Sequence, residues 1–270
     1  MTVTEFDLHI GAHKTATTYI QNILRMSKFR PGTLYIPMQE FRSGLGREIG
    51  RKKISKLPDY IFKNNHVVIS EENLSGAALG GLNLYPRAHN NLKIFRNFSG
   101  RVHVCIRRYS EFFPSCWIEG NLRKVSTSSF EVNFPQRTWN DYLGEIAAAL
   151  PNFKIRVWDY EDFRGNESFY IKMIANQSIA EMGQIKTNTA RASLSHAAFV
   201  ALKACTEFLD PKERAILTRR LAKKFPAGEI YPKFSPYSKD EISFMDDRYR
   251  EDVMDIDSSY GIIRPSTRIA

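Results

Sequence analysis

Cysteine is scarce in this chain. The 270 residues hold three, Cys105, Cys116 and Cys205, with no close pair and no CxxC spacing. That argues against a disulfide framework and against a zinc site. Long apolar runs are missing as well: none approaches the ~20 residues needed to span a bilayer. The opening MTVTEFDLHI lacks the basic stretch and apolar core of a secretion signal. Together these absences point to a reducing, cytoplasmic compartment. No internal repeat and no low-complexity segment is visible. Negative charge is the other shortage, with 39 Lys and Arg against 29 Asp and Glu and a net charge of +10. A basic excess favours anionic partners such as nucleotides or sulfated glycans without choosing among them. The basic residues are scattered and form no aromatic–basic platform, so nucleic acid is not an expected partner.

What the chain does have is alternation. Five short apolar runs suit strands: Phe6–Ala12, Thr33–Pro37, His66–Ser70, Arg101–Arg107 and Phe153–Tyr160. Helical segments are expected between them, from Thr15 to about Arg25, near Ile49–Lys63, near Ala88–Phe98, after Tyr109 and over Trp139–Leu150. Strands alternating with helices imply an α/β fold with a mostly parallel central sheet flanked by helices. Beyond Asn188 the pattern turns helical. Leu194, Ala197, Ala198, Ala201, Leu202, Cys205, Phe208 and Leu209 fall on one stripe. Asp210-Pro211 reads as N-cap and first residue of a second helix, and Ser238 with Glu241 as a capping box opening a third. The expectation is a single domain over 1–270, with an α/β core at 1–165 and a C-terminal helical layer at 166–270. The Pro- and aromatic-rich stretch 225–237 is long enough to act as a lid.

The stretch LHIGAHKTATTYIQ, Leu8 to Gln21, carries the chemistry. A strand ending at Gly11 and running into a helix offers backbone N–H groups and a positive helix end to an anion. Lys14 adds a full charge, and Thr15, Thr17 and Thr18 add hydroxyls. The nucleotide-binding pattern GxxxxGK followed by Ser or Thr is not met, because Ala16 stands where a second glycine could sit. No strand clearly ends in an aspartate suited to magnesium, so a magnesium-dependent kinase is the weaker enzyme reading.

Gly11, His13, Lys14, Thr15, Thr17 and Thr18 resemble the 5′-phosphosulfate loop of the sulfotransferases, commonly G-x-H-K-T-G-T-T in bacterial and carbohydrate-directed members. Ala16 departs from that pattern. The family's second signature is an Arg closing a strand with a Ser eight positions on, and Arg107 and Ser115 match it. Arg108 is the alternative fork. Pro114 fits only a first helical turn, which would put Ser115 near a helix start. The resemblance implies a P-loop-like fold and transfer from 3′-phosphoadenylyl sulfate, leaving adenosine 3′,5′-bisphosphate, with no metal required. It implies that Lys14 and the N–H groups after it hold the 5′-phosphosulfate, and that Arg107 and Ser115 hold the 3′-phosphate. The resemblance implies a small-molecule or glycan acceptor, a carbohydrate or glycolipid.

Sulfuryl transfer needs a base and a cation for the leaving oxygen. Lys14 is the cation. Glu71 and Glu72, at the carboxyl end of the His66–Ser70 strand, are the candidate bases, and alignment with carbohydrate-directed relatives selects Glu72. Alternation keeps the two from facing the site together while the strand persists. His13 is a rival base by position, better suited to a donor or structural contact; His9 and His103 read as packed strand histidines. Basic clusters at Arg123-Lys124 and at Arg219-Arg220 with Lys223-Lys224 could steer an anionic acceptor. A solvated face is the simpler reading of the second, on a helix whose other side carries Ile216, Leu217, Leu221 and Phe225. A third possibility is a non-catalytic nucleotide- or glycan-binding protein that kept the fold. Oligomeric state is not legible.

Overall fold

The computed structural model describes residues 4–45, 47, 57–76, 78–80, 83–85, 88–122, 136–184, 193–205 and 208–265. The chain divides into two compact units. The first comprises Met1–Arg107, Gln136–Thr187 and Glu251–Ala270; the second comprises Arg108–Pro135 and Asn188–Arg250.

The first unit is built on a five-stranded parallel sheet. Its strands are β1 (Glu5–His9), β2 (Thr33–Ile36), β3 (His66–Ser70), β4 (Ser99–Ile106) and β5 (Phe153–Asp159), in the order β2-β3-β1-β4-β5. All five expected strands are present, and the α/β class with a parallel central sheet flanked by helices holds. Both faces of β1 are buried, as a sheet covered on two sides requires. Phe6 and Leu8 are fully buried, and so are Asp7 and His9. Gly100 shows how closely the strands meet. A Cβ at that position would lie 1.9 Å from the Phe6 carbonyl oxygen, so β4 can enter beside β1 only through glycine.

Helix α1 (Thr17–Met26) buries Ile20, Ile23 and Leu24, the i, i+3, i+4 stripe of an amphipathic helix. These pack with Trp158, Phe163, Tyr170, Ile171 and Ile174. The helix begins two residues later than expected because Ala16 is in the left-handed region (φ 60°). Helix α2 (Met38–Ser43) was not anticipated. Of the expected Ile49–Lys63 helix, Ile49–Lys56 lie outside the described residues, and the described remainder holds a 3-10 turn at Asp59–Lys63.

The second unit contains α3 (Tyr109–Leu122), α4 (His196–Cys205), α5 (Pro211–Lys224) and the start of α6 (Lys239–Tyr260). Asp210 caps α5 with Pro211 at its first position, and Ser238 and Glu241 form the expected box at α6. Leu194, Ala198 and Leu202 pack with Leu217, Leu221 and Phe225. Three residues leave the expected apolar faces, Cys205 at the end of α4 being exposed. Phe208 lies beyond the end of α4 and is 83% exposed, and Ile216 points outward from α5. The 225–237 stretch is pinned down by Phe234, whose ring packs on Phe199 at 4.0 Å, and by bridges Leu194–Pro226 and Ser195–Lys233. Among the described residues no helix is long and apolar enough to cross a membrane.

Candidate functional site

β1 is flanked by β3 on one side and β4 on the other, so the chain changes direction across the sheet at β1. In open parallel sheets ligands bind at the carboxyl ends of the strands at such a point. Three of the expected site segments leave the sheet there: the Gly11–Ala16 loop after β1, Glu71 and Glu72 after β3, and Arg107 after β4. The edge is closely tied, with Ile10 N–H donating to the His103 carbonyl at 3.2 Å and Glu71 N–H to the His9 carbonyl at 2.9 Å.

The loop is a sequence of forced turns. Gly11, Lys14 and Ala16 all have positive φ, at 36°, 64° and 60°. At Gly11 a Cβ would sit 3.0 Å from Thr17 Oγ1 and 3.1 Å from His9 Nε2, so the close approach needs glycine. Ala16 carries the left-handed turn with a side chain, which costs roughly 1–2 kcal/mol. Ala16→Gly removes that strain and adds freedom to the unfolded chain worth roughly 0.4–1 kcal/mol. We expect A16G to lie between neutral and about 1 kcal/mol more stable in urea unfolding; a clear loss would contradict this account of the loop.

Two of the expected hydroxyls turn inward. Thr15 Oγ1 donates to the Ala12 carbonyl at 2.5 Å and Thr17 Oγ1 to the same carbonyl at 3.2 Å. Both residues are buried, whereas Thr18 is exposed in the first turn of α1. The first N–H groups of α1, like those of any helix, have no intrahelical acceptor. The threonines at 15 and 17 therefore shape the loop, and of the three expected hydroxyl residues only Thr18 is exposed.

Two long-range contacts hold the loop in shape. Arg107 donates from one guanidinium nitrogen to the Lys14 carbonyl at 2.6 Å, and its guanidinium lies 4.6 Å over the Tyr160 ring. The Arg107 carbonyl accepts from the Trp139 indole at 2.8 Å. On the other side, the His13 N–H donates to the Tyr85 hydroxyl at 2.7 Å, and His13 Nδ1 is 2.9 Å from the same oxygen. Tyr85 stacks on Tyr142 at 4.8 Å. His13 is thus a structural member of the loop, with one ring nitrogen paired to a phenol.

Glu71 and Glu72 are separated by burial. The strand ends at Ser70 and a 3-10 turn starts at Glu72, so strand alternation does not apply to the pair. Arg42 reaches both. It binds Glu71 through two nitrogens at 2.6 and 2.8 Å and lies 3.5 Å from Glu72 Oε1. Glu71 is fully buried and also accepts from Asn73 N–H at 2.9 Å, so its oxygens are occupied. The Glu72 side chain keeps 19% of its surface exposed. Of the two, Glu72 is the more exposed carboxylate.

His9 lies beneath the loop. Its Nδ1 is 2.8 Å from Ser70 Oγ and its ring stacks on Trp158 at 5.8 Å. Burial first, and the charge of His103 second, push its pKa down to about 3. Above the ordinary value of 6.5 the ring is neutral folded or unfolded; between there and about 3 only the unfolded chain takes the proton. Stability contributed by His9 is therefore present above pH 6.5 and lost as pH falls toward about 3. We expect His9→Gln to flatten the fall in stability across this window. An unchanged slope in denaturant titrations at stepped pH would refute it.

Arg107 belongs to the first unit and Ser115 to the second. The expected first-turn position of Pro114 is corrected. Pro114 is the sixth residue of α3, inside the helix, and Ser115 donates its hydroxyl back to the Glu111 carbonyl at 2.7 Å. The helix begins earlier than Pro114 allowed for because Glu111 and Phe112 N–H both close on the Arg108 carbonyl. Arg123-Lys124, the loop from Arg123 to Pro135, and Asn188–Ala192 lie outside the described residues.

Sequence reasoning missed Tyr85, Arg42 and Trp139. None sits in a motif. A buried carboxylate at Glu71 does require a cationic partner, and that demand was the one available hint of Arg42. Compared with protein-family models, with curated proteins and with solved structures, the chain finds no match, and its functional reading rests on the loop, the two glutamates and the fold that positions them.

Proposed function

We propose that this protein is a sulfotransferase that moves a sulfuryl group from 3′-phosphoadenylyl sulfate to a hydroxyl or amine of an acceptor, a carbohydrate or glycolipid. The observation that carries the reading is the Gly11–Ala16 loop. It combines three positive-φ residues, an adjoining helix start and a lysine at the carboxyl edge of a parallel sheet, with Glu72 after the neighbouring strand.

The donor supplies an activated sulfur bound to a good leaving phosphate. In this reading Lys14 and the N–H groups from Thr15 to Thr18 hold the 5′-phosphosulfate, and Arg107 is the residue proposed for the 3′-phosphate. Glu72 takes the acceptor's proton as the acceptor oxygen bonds to sulfur and the sulfur–phosphate oxygen bond breaks. Lys14 stabilises the charge that grows on the departing phosphate. Glu71, locked to Arg42, fixes the turn that presents Glu72. Arg107, through the Lys14 carbonyl, braces the loop.

The test is transfer of labelled sulfate from 3′-phosphoadenylyl sulfate to a panel of hydroxylated acceptors and cell-envelope extracts. Labelled product that disappears with Glu72→Gln supports the assignment. No transfer to any acceptor, with bisphosphate binding retained, would favour a non-catalytic nucleotide-binding protein.

A further inference from the structure

The second unit has a surface that the proposed transfer does not use. The 14 residues of α5 contain six basic side chains (Lys212, Arg214, Arg219, Arg220, Lys223 and Lys224) and one carboxylate, Glu213. Arg214 is buried, which leaves five cations outside. Glu213 is turned back on the helix start, where its carboxylate accepts from Asp210 N–H at 2.9 Å. The inner face packs through Leu217, Leu221 and Ala222. Opposite to it, Lys212, Ile216, Arg219 and Lys223 fall at i, i+4, i+7 and i+11 and form one outward stripe. Apolar residues accompany this basic stripe. Ile216 is 38% exposed within it, Phe208 is 83% exposed just before the helix, and Ile230 is 84% exposed in the turn that follows it. Glu229 is the one carboxylate in that turn.

We propose that the outer face of α5, with Phe208 and Ile230 at its two ends, docks on an anionic lipid surface. The cations supply attraction to anionic headgroups, and the apolar side chains enter the boundary between headgroups and acyl chains. The charge alone would suit a soluble polyanion equally well. Two large apolar side chains more than four-fifths exposed gain nothing from a soluble polyanion, and they decide for lipid.

The test uses the full chain and vesicles of phosphatidylcholine, alone or with phosphatidylglycerol. The chain is expected to sediment with the anionic vesicles only. R219E/K223E should lower partitioning about tenfold or more. F208S/I230S should also lower it and leave a residue of binding that salt removes. With F208W, the indole emission should shift to the blue on anionic vesicles. Unchanged binding by R219E/K223E, or unshifted emission from F208W, would overturn the proposal. So would binding to soluble heparin as tight as to vesicles and indifferent to F208S/I230S, which would make the face a polyanion site. Vesicle binding does not depend on the nucleotide, so neither this result nor the sulfuryl-transfer assay decides the other.

Discussion

Lys14→Ala is expected to lower sulfuryl transfer by about 10³-fold, with folding unaffected. Removing one preorganised group that stabilises a developing oxyanion typically costs about 10²–10³ in rate, and a full charge belongs at the upper end. The substitution leaves the backbone of the loop as it is. Lys14 has positive φ, but alanine meets the same backbone restriction as lysine, so no strain is added. One contact that Lys14 gives the fold is made by its carbonyl, which accepts from Arg107 whatever the side chain. Transfer rate and thermal midpoint should therefore part company. K14A that keeps both its midpoint and its activity would remove Lys14 from the mechanism. K14A that loses both would make the lysine structural.

Asp7→Asn should cost about 3 kcal/mol of stability, the largest loss expected from a change of so few atoms. Asp7 is fully buried on β1 and faces a crowd of cations and imidazoles. Arg101 binds it at 2.7 and 3.0 Å, His103 Nε2 at 2.7 Å and His66 Nε2 at 2.5 Å. Burial alone would raise its pKa. The hydrogen bonds from His103, His66 and Arg101 outweigh burial and hold it well below the usual carboxylate range. Asn keeps the shape and removes the charge, leaving Arg101 with only the half-exposed Glu5 at 3.1 Å. Breaking one partner of a buried pair typically costs about 3–5 kcal/mol, and the residual Glu5 contact sets the lower figure. The check is a fall in urea midpoint at constant slope; a loss under about 1 kcal/mol would mean that the cluster is indifferent to the Asp7 charge.

The pH signature has a definite sign. Because the folded pKa of Asp7 lies below its unfolded value of 3.8, its contribution is present above 3.8 and lost as pH falls through the folded value. D7N should lack that lowest-pH component and keep the part between pH 6.5 and about 3 that belongs to His9. The contributions of Asp7 and His9 are thereby separable by mutation.

Much of the fold was legible because its signals are local. The five strands are short apolar runs bounded by turn residues, and the caps at Asp210 and Ser238 lie within three residues of their partners. The loop's position between β1 and α1 was legible for the same reason. The tertiary partners of the site were not. His13 meets Tyr85 across 72 residues, Lys14 meets Arg107 across 93, and Glu71 meets Arg42 across 29. No periodicity links such pairs. Thr15 and Thr17 show a subtler limit. Their identities suit a phosphate site, but both hydroxyls close on the Ala12 carbonyl, and only three-dimensional geometry reveals that they shape the loop. Phe208 failed for the opposite reason: a helical stripe was extended past Cys205, where α4 ends.

The central claim is that the Gly11–Ala16 loop serves a nucleotide bearing phosphate at both 3′ and 5′ positions. Calorimetric titration with adenosine 3′,5′-bisphosphate in the presence of a chelator addresses it directly. The account predicts saturable binding under these conditions, weakened by K14A and by Arg107→Ala. No heat with the bisphosphate, together with binding of ATP that requires magnesium, would contradict it.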